Sequence, residues 1–337
     1  MKIQELARNL IETNNICSAI YDFICSKKIY KIFINKKIQN RLQYNNSHKN
    51  MKFMIETTSV CNAKCVFCPY TKMERQHFPM SDEIFNKIIT RIKEENINPV
   101  LFDLFFIGEP FLDKKIFERI KILKLNFPNT PINITSNFNT CNEEIINKII
   151  EADINLINIS LNAVDEEKYK TTMGLDYKKT VKNIKNLIKA KKKQKNKLKI
   201  NLSMVLYDEN KFSDVIKFFF YWVFKVESLR FQRAVTWANK VEVKNFISKS
   251  RKKLYPCNDL FERIPILSNG DFALCCQDSE GMIKRNILDT KIMEAWNSEV
   301  YSKIRKIHLN EDLKNFDLCK DCFGTNSNGA NWIFIDR

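Results

Sequence analysis

The sequence has no long hydrophobic run. Its longest strongly apolar stretch is FFFYWVF at residues 218–224, with a lysine on each side. A helix needs about 20 apolar residues to span a bilayer, so a transmembrane segment is not expected. The first residues, MKIQELARNLIETNN, are polar and acidic where a secretory leader would be apolar. We therefore expect a cytoplasmic protein.

Acidic residues are scarce relative to basic ones: 39 Asp and Glu stand against 56 Lys and Arg, for a net charge of +17. The densest basic run, KAKKKQKNKLK at 189–199, has no aromatic residues between its charges. Because bases have nothing there on which to stack, we expect a solvated helix end and no nucleic-acid site. A basic surface still favours an anionic partner, such as a phosphorylated substrate, an acidic protein or an anionic membrane.

Cysteine, by contrast, is abundant, with 11 residues. In a reducing compartment, clustered cysteines indicate metal binding or catalysis before disulfides. Residues 1–50 are predicted to form a helical, basic extension in which Cys17 and Cys25 are buried as small apolar side chains. Cys141 is interpreted in the same way.

Strand and helix patterns alternate regularly from residue 51 onwards. Because several strands are apolar on both faces, a parallel sheet covered by helices is predicted. With right-handed crossovers, residues 51–240 form an α/β fold, a partial (β/α)6 TIM-like barrel with its chemistry at the strands' C-terminal ends. Six strands are predicted, at 51–60, 100–106, 132–137, 156–162, 198–206 and 228–232; the helices are predicted at 81–95, 113–126, 142–152, 177–195 and 212–224.

The alternation ends near residue 240, and residues 241–337 are predicted to form a second, smaller domain. Its segment LSNGDFALCC is typical of a hairpin with its turn at Asn269 and Gly270.

Three cysteines, in the segment CNAKCVFC, follow the first predicted strand: Cys61, Cys65 and Cys68. Thiolates bind zinc or iron–sulfur clusters. A structural zinc site needs a fourth ligand, for which His77 is the nearest residue. A [4Fe–4S] cluster held by three cysteines leaves one iron open, and the location at the barrel mouth favours this interpretation.

The same segment resembles the signature loop of radical S-adenosylmethionine (SAM) enzymes, with an aromatic residue before the third cysteine. Three further elements agree over residues 51–235. FFIGEP (105–110) is similar to the family's Gly-Gly-Glu-Pro element, with Ile107 in place of the first glycine. ITSNFN (134–139) resembles its third-strand element, and the stretch 159–188 resembles the segment that begins at its fourth strand.

The resemblance implies a [4Fe–4S] cluster on Cys61, Cys65 and Cys68 that binds SAM and cleaves it reductively to a 5′-deoxyadenosyl radical. That radical removes hydrogen from the substrate, and the electron comes from a donor such as flavodoxin or ferredoxin. Gly108 and Glu109 are expected to line the SAM amino group. The expected contacts to its carboxylate and ribose are Ser136, Asn137 and Ser160, although a hydroxyl that satisfies a strand end explains the two serines equally well.

The C-terminal region contains five cysteines, which by themselves fit a zinc ribbon. However, NGDFALCCQD, NILDTKIMEAWNSEVYSKIRK and CKDC resemble the SPASM/twitch extension of radical SAM enzymes, which binds auxiliary clusters. The cysteine count implies one auxiliary [4Fe–4S] cluster in this region. Its expected ligands are Cys257, Cys275, Cys319 and Cys322. Cys276 could replace Cys275 as a ligand. If it is free, we favour a buried thiol without a chemical role over a donor of a hydrogen atom to a substrate radical.

The single-cluster form resembles that of 2-deoxy-scyllo-inosamine dehydrogenases, which oxidise a sugar-like alcohol. We therefore expect dehydrogenation or epimerisation of a carbohydrate, aminocyclitol or nucleotide sugar, with Arg233 positioning or deprotonating the substrate. A phosphate on the sugar would suit the basic charge. The alternatives are a maturase of ribosomal peptides or proteins and a non-enzymatic zinc-binding scaffold.

Overall fold

The computed structural model describes residues 28–207, 210–242, 257–310, 316–320, 322 and 330–334. Most of the predicted N-terminal extension, with Cys17 and Cys25, lies outside these ranges. From residue 28 onwards the extension is helical, as predicted, up to His48.

One sheet organises the described chain. It has eight strands in the order β7-β1-β2-β3-β4-β5-β6-β8. Every neighbouring pair from β7 to β6 is parallel, and β8 pairs with β6 antiparallel. The strands are β1 (Asn50–Ile55), β2 (Asn98–Asp103), β3 (Ile132–Ser136), β4 (Leu156–Ser160), β5 (Lys199–Leu206), β6 (Ser228–Arg233), β7 (Arg263–Ile266) and β8 (Ala330–Phe334).

Helices connect the strands and cover the outer face of the sheet. Short 3-10 helices, Pro69–Lys72 and Pro110–Leu112, follow β1 and β2. The α-helices are α1 (Lys28–His48), α2 (Asp82–Glu94), α3 (Ile116–Asn126), α4 (Glu143–Glu151), α5 (Glu166–Met173), α6 (Tyr177–Lys193), α7 (Phe212–Trp222), α8 (Asp259–Glu262), α9 (Ile292–Trp296), α10 (Glu299–Leu309) and α11 (Asp317–Lys320).

All six predicted strands and all five predicted helices are present. Short polar side chains begin the helices as the sequence indicates: the Ser81 hydroxyl accepts a hydrogen bond from the N–H of Ile84 at 3.2 Å. Asn142 does the same for Ile145 at 2.9 Å. Helix α5 was not predicted. It ends at Gly174, whose φ of +69° is the left-handed conformation that glycine adopts freely.

The sheet extends beyond the six predicted strands because the C-terminal region adds one strand to each edge. β7 lies parallel to β1, and β8 lies antiparallel to β6. Within the described residues β7 and β8 do not pair with each other, so the barrel is open. The change of sequence pattern near residue 240 therefore does not divide the sheet. The predicted hairpin is present, with Gly270 at a φ of +86° and its flanks bridged between Ile266 and Phe272.

The two faces of the sheet differ in character. On the outer face, Phe231 of β6 packs edge-on against Phe218 of α7, with ring centroids 5.5 Å apart. On the inner face, neighbouring strands carry asparagines and serines at matching register positions, among them Asn158, Asn201 and Ser228. The interior of the open barrel is therefore polar, while the hydrophobic core lies between sheet and helices.

Candidate active site

The loop that carries Cys61, Cys65 and Cys68 follows β1 at the barrel mouth. Its backbone is held by α5, because the N–H groups of Lys64 and Val66 each donate to a carbonyl at the end of that helix, Met173 and Thr172 respectively, at 2.9 Å. At the start of the loop, the N–H of Cys61 donates to the Tyr70 hydroxyl at 3.1 Å. The unpredicted helix α5 thus fixes the conformation of the three-cysteine loop.

The three thiols lie in a common, partly buried environment. The pKa of Cys61 is raised to about 12, chiefly by burial and also by the negative charges of Glu109 and Cys68. Burial likewise raises the pKa of Cys68 to about 11. It also raises the pKa of Cys65, with the Cys68 and Cys61 charges adding to the effect. Thiols this close together are costly to ionise without a cation between them, so the set fits a positively charged iron–sulfur core.

The alternative zinc ligand, His77, has its Nδ1 atom 3.2 Å from the Ser59 carbonyl oxygen, and its ring contacts that of Tyr70. Within the described ranges, no group of three His, Cys, Asp or Glu side chains lies close enough together to hold a single metal ion.

Gly108 stands where two loops of the mouth touch. A Cβ atom on this residue would lie 2.0 Å from the Thr58 carbonyl oxygen, well inside van der Waals contact. The neighbouring Glu109 N–H donates to the Val60 carbonyl at 2.9 Å. A glycine is therefore required here to bring the loop after β2 against the backbone that leads into the three-cysteine loop.

Glu109 is buried and held by three donors. Its Oε1 atom accepts from the Ser136 hydroxyl at 2.6 Å and from the Phe111 N–H at 3.3 Å. Its Oε2 atom accepts from the Asn137 N–H at 2.7 Å. Burial outweighs these hydrogen bonds and raises the pKa of Glu109 to about 7. The carboxyl group is thus rigidly oriented at the mouth and close to its ionisation midpoint at neutral pH.

The other predicted SAM contacts, Ser136, Asn137 and Ser160, lie at different places around the mouth. Ser136 and Asn137 adjoin Glu109, and the Asn137 amide also donates to Asn62 Oδ1, inside the three-cysteine loop, at 2.8 Å. Ser160 ends β4, where it is paired in register with Ser203 of β5. Arg233 is the last residue of β6, and its side chain lies outside what the structure describes.

A row of polar side chains crosses the inner face of the sheet below the mouth. Asn133 donates to Asp103 at 3.2 Å, Ser228 donates to Asn201 at 2.9 Å, and Asn201 donates to Asn158. Apolar side chains are usual at buried strand positions such as these. These residues were not predicted, although NIS of β4 and NLS of β5 are paired position by position, and a similar triplet, NIT, lies two residues out of register in β3.

The C-terminal cysteines also come together. Burial raises the pKa of Cys275, and the charges of Cys276, Cys319 and Cys322 raise it further. The pKa of Cys257 is raised by burial, and by the charges of Asp259, Cys322 and Cys276. Both Cys275 and Cys276 therefore lie within electrostatic reach of the closing CKDC segment, and the set fits a cluster in which either is the fourth ligand.

His308 bridges two of these cysteines and was not predicted. Its Nδ1 atom accepts from the Cys257 N–H at 3.2 Å, which leaves the proton on Nε2, 3.2 Å from the Cys319 sulfur. The residue is 1% exposed. His308 could not be predicted, because in the sequence it looks like any other buried residue of an amphipathic helix.

Two family models match the chain: the radical SAM superfamily over residues 55–219 and an iron–sulfur cluster-binding domain, SPASM, over residues 257–323. The first spans the three-cysteine loop, and the second begins at Cys257 and includes Cys322. The chain belongs to the radical SAM superfamily and carries a SPASM domain. The predicted fold class and the predicted cofactors, SAM and iron–sulfur clusters, are thereby confirmed.

Curated relatives of this radical SAM chain match only part of it. An uncharacterized protein of Methanocaldococcus jannaschii is 32% identical over 36% of this chain and 38% of its own length. A probable GTP 3′,8-cyclase of Saccharolobus islandicus is 28% identical over 40% of this chain and 42% of its own length. The chain thus spans about two fifths of the length of these relatives.

Solved structures with this fold cover more of the chain. BtrN in complex with AdoMet and 2-DOIA has a TM-score of 0.54 at 16% identity, covering 81% of this chain and 92% of its own. Streptococcus suis SuiB bound to precursor peptide SuiA has a TM-score of 0.63 at 14% identity, covering 79% of this chain and 70% of its own. At these identities the likeness shows the fold alone. In the part of the radical SAM chain that the structure describes, no helix is long and apolar enough to cross a membrane.

Proposed function

We propose that the chain dehydrogenates or epimerises a polyhydroxylated small molecule, namely a carbohydrate, an aminocyclitol or a nucleotide sugar. The observation that carries this proposal is the polar row on the inner face of the sheet. Asn133, Asn158 and Asn201 each present an amide that both donates and accepts hydrogen bonds. Such a lining matches a ligand rich in hydroxyl groups, since every hydroxyl also does both.

The register of the strands supports this assignment. Asn158, Asn201 and Ser228 are paired across β4, β5 and β6. Two residues further towards the mouth, Ser160, Ser203 and Arg230 are paired in the same way. The inner face thus offers two layers of polar groups between the barrel interior and the three-cysteine loop. A cationic residue in the upper layer suits a substrate that carries phosphate.

The proposed cofactor contacts follow the sequence interpretation. Cys61, Cys65 and Cys68 would hold the first cluster, and Cys257, Cys275 or Cys276, Cys319 and Cys322 the auxiliary one. When bound and reduced by a flavodoxin or ferredoxin, the first cluster and SAM would supply a 5′-deoxyadenosyl radical that abstracts hydrogen from the substrate. Glu109 would accept a hydrogen bond from the SAM amino group.

Asn137 and Ser160 would contact the SAM carboxylate and ribose. Ser136 would act through Glu109, whose carboxylate it already orients, in addition to any direct contact with SAM. Gly108 would help to position Glu109, because it lets the two loops of the mouth meet.

A dehydrogenation of an alcohol removes a hydrogen atom from carbon, a proton from oxygen and one further electron. The auxiliary site is the proposed acceptor of that electron. Arg233 is the proposed residue that positions the hydroxyl, and the hydroxyl proton is released to water because a guanidinium already carries its full complement of protons. An epimerisation instead returns a hydrogen atom to carbon, for which Cys276 is the proposed donor if Cys275 is the cluster ligand. The two outcomes therefore assign different roles to the C-terminal cysteines.

The solved structures include enzymes of both substrate classes. The chain aligns with 92% of BtrN, whose complex contains 2-DOIA, and with 91% of anSMEcpe, whose complex contains the Cp18Cys peptide. The peptide-maturase alternative is tested by the same experiment.

The proposal is tested by incubating the anaerobic, reduced enzyme with SAM and a panel of nucleotide sugars and aminocyclitols. The expected result is substrate-dependent 5′-deoxyadenosine with one panel member changed in one of two ways. Dehydrogenation removes two hydrogens from it, whereas epimerisation leaves its mass unchanged in H2O and incorporates one deuterium in D2O. Asn201→Leu should reduce product formation and substrate-dependent 5′-deoxyadenosine while leaving the uncoupled SAM cleavage, measured without substrate, intact. 5′-Deoxyadenosine stimulated by a short peptide and by no sugar would overturn the proposal in favour of the maturase.

A further inference from the structure

Helix α7 is apolar on its outer as well as its inner face. Its inner face is buried through Phe218 and Trp222, each 1% exposed. On the outer face, Phe212 is 79%, Ile216 41% and Phe220 68% exposed. A spacing of four residues places these three side chains in one line along the helix. A helix apolar on all sides is normally buried on all sides, so this stripe calls for a partner.

The surroundings of the stripe are strongly cationic. Lys211, Lys217 and Lys225 flank it along the chain. The sole acidic residue of α7, Asp214, is 2% exposed and is paired with Lys168 at 2.6 Å. No acidic side chain of α7 thus adjoins the stripe on the solvent side.

The neighbouring helix α6 extends the positive charge. It is YKKTVKNIKNLIKAKKK, with lysine at nearly half of its positions and no acidic residue. Lys185 of α6 lies with its Nζ atom 5.8 Å from the Tyr221 ring centroid, and Lys225 lies 3.4 Å from the same ring. Tyr221 is 44% exposed and follows Phe220 directly in α7, so the basic side of α6 adjoins the apolar stripe through this ring.

We propose that this surface docks the enzyme on an anionic lipid bilayer, with Phe212, Ile216 and Phe220 inserted among the headgroups. Charge complementarity favours a bilayer over a second copy of the chain as the partner of this surface. A second copy of the chain would bring lysine against lysine across a twofold interface, which like-charge repulsion opposes. An anionic bilayer instead attracts the lysines, whose four-carbon stems reach the headgroups while the aromatic side chains lie deeper.

Shape favours the same occupant. The stripe lies on the convex outside of a helix and spans about 12 Å along its axis, at ~1.5 Å per residue over eight residues. Interfacial helices lie flat with an apolar face inserted and lysines on either side. Protein interfaces, in contrast, concentrate their binding energy in concave, packed pockets.

The test is flotation of the full-length, cluster-loaded enzyme with vesicles of phosphatidylcholine alone or of phosphatidylcholine mixed with phosphatidylglycerol. We expect binding to the mixed vesicles, little binding to the neutral ones, and loss of binding as salt screens the charges. The double variant Phe212→Ser/Phe220→Ser keeps every lysine and should weaken binding by about tenfold or more, from the apolar area withdrawn. Lys185→Glu/Lys217→Glu should weaken it while leaving the stripe intact.

Leu125→Ser is the matched control, because Leu125 is 74% exposed on α3, away from this surface; its binding should equal that of the wild type. Iron content and uncoupled SAM cleavage check that each variant is folded. Phe220→Trp reports insertion directly through a blue-shifted emission when mixed vesicles are added. Absence of binding to mixed vesicles, binding unchanged in the Phe212→Ser/Phe220→Ser variant, or a stable dimer that this variant converts to monomer would each overturn the proposal.

Discussion

Arg75 and Glu56 form a buried ion pair that ties the two sides of the three-cysteine loop to the SPASM region. The Nη2 atom of Arg75 lies 2.6 Å from Glu56 Oε1, and the Glu56 side chain is fully buried. Arg75 also donates to the Ser279 carbonyl at 2.6 Å, while Glu56 accepts from the Ser268 N–H at 3.0 Å. Both partners thus contact the SPASM region, so the pair fixes how the two cysteine-bearing regions are held together.

Removing one partner of this pair should be strongly destabilising. Arg75→Ala leaves the Glu56 carboxylate buried without its cation, which typically costs about 3–5 kcal/mol. The measurement is the free energy of unfolding in urea. Arg285→Ala is the control, because its pair with Glu294 is exposed on both sides and should contribute little. Equal stabilities of the two variants would contradict the structural role of the buried pair.

Gly108→Ala tests the contact between the two loops of the mouth. The added methyl would lie 2.0 Å from the Thr58 carbonyl oxygen, so the backbones must separate, at an expected cost at or above about 3 kcal/mol. Gly174→Ala is the comparison. Its Cβ would meet only Lys64, at an ordinary 3.7 Å, while its φ is +69°, so the cost should be about 1–2 kcal/mol. The two variants are compared by thermal unfolding and iron content, and the reverse ranking would refute the contact.

The sequence predicted what short-range physics determines. Ser81 and Asn142 begin helices because each side chain bonds a backbone N–H three residues later, and both were identifiable locally. The six central strands followed from apolar runs alternating with amphipathic helices. Cys61, Cys65 and Cys68 lie within eight residues of one another, so their grouping was visible without a structure.

Long-range pairing was not predictable in this way. β7 lies beside β1 although more than 200 residues separate the paired Lys52 and Arg263; nothing local in a four-residue strand indicates that neighbour. The contacts of Glu56 likewise span 19 residues to Arg75 and 212 to Ser268. Ser136 was predicted as a SAM contact. The structure adds what the sequence could not, its hydrogen bond to Glu109 on another strand's loop.

Glu109 should make stability depend on pH. Burial raises its pKa to about 7 in the folded protein, against about 4.3 in the unfolded chain. Between these values the folded state binds one more proton than the unfolded state. The extra proton on Glu109 therefore contributes fully to the free energy of unfolding at low pH. This contribution is lost as the pH rises towards 7, at up to about 1.4 kcal/mol per pH unit.

The comparison is between the wild type and Glu109→Gln, both without SAM, unfolded in urea at intervals from pH 5.5 to 7.5. The difference between the two free energies should change across this range and become constant above it. Glu144→Gln, at an exposed position, is the control and should parallel the wild type. Parallel curves for Glu109→Gln as well would show that its pKa is not raised.

The two cysteine groups should account for separate halves of the iron. Two [4Fe–4S] clusters give about eight irons and eight sulfides per chain. Cys65→Ala and Cys319→Ala should each reduce the content to about half, whereas Cys141→Ala, which removes a buried thiol that belongs to neither group, should not. Cys275→Ala and Cys276→Ala decide the fourth auxiliary ligand, because only the ligand's loss should alter the auxiliary spectrum. A full complement in Cys319→Ala would remove the auxiliary assignment.

His308 should raise the reduction potential of the auxiliary cluster. Its Nε2–H points at the Cys319 sulfur, and the backbone of Cys257 fixes the tautomer. A donor to a ligand sulfur disperses the negative charge that reduction adds, which stabilises the reduced state.

His308→Phe should therefore lower the midpoint potential, and His308→Gln, which keeps an amide donor, should lower it less. The measurement is a redox titration followed by electron paramagnetic resonance, in which the cluster proposed for Cys61, Cys65 and Cys68 serves as the internal control. If His308→Phe loses its auxiliary iron, His308→Gln carries the test, and a potential equal to that of the wild type in every variant that retains the cluster would show that the contact does not tune it.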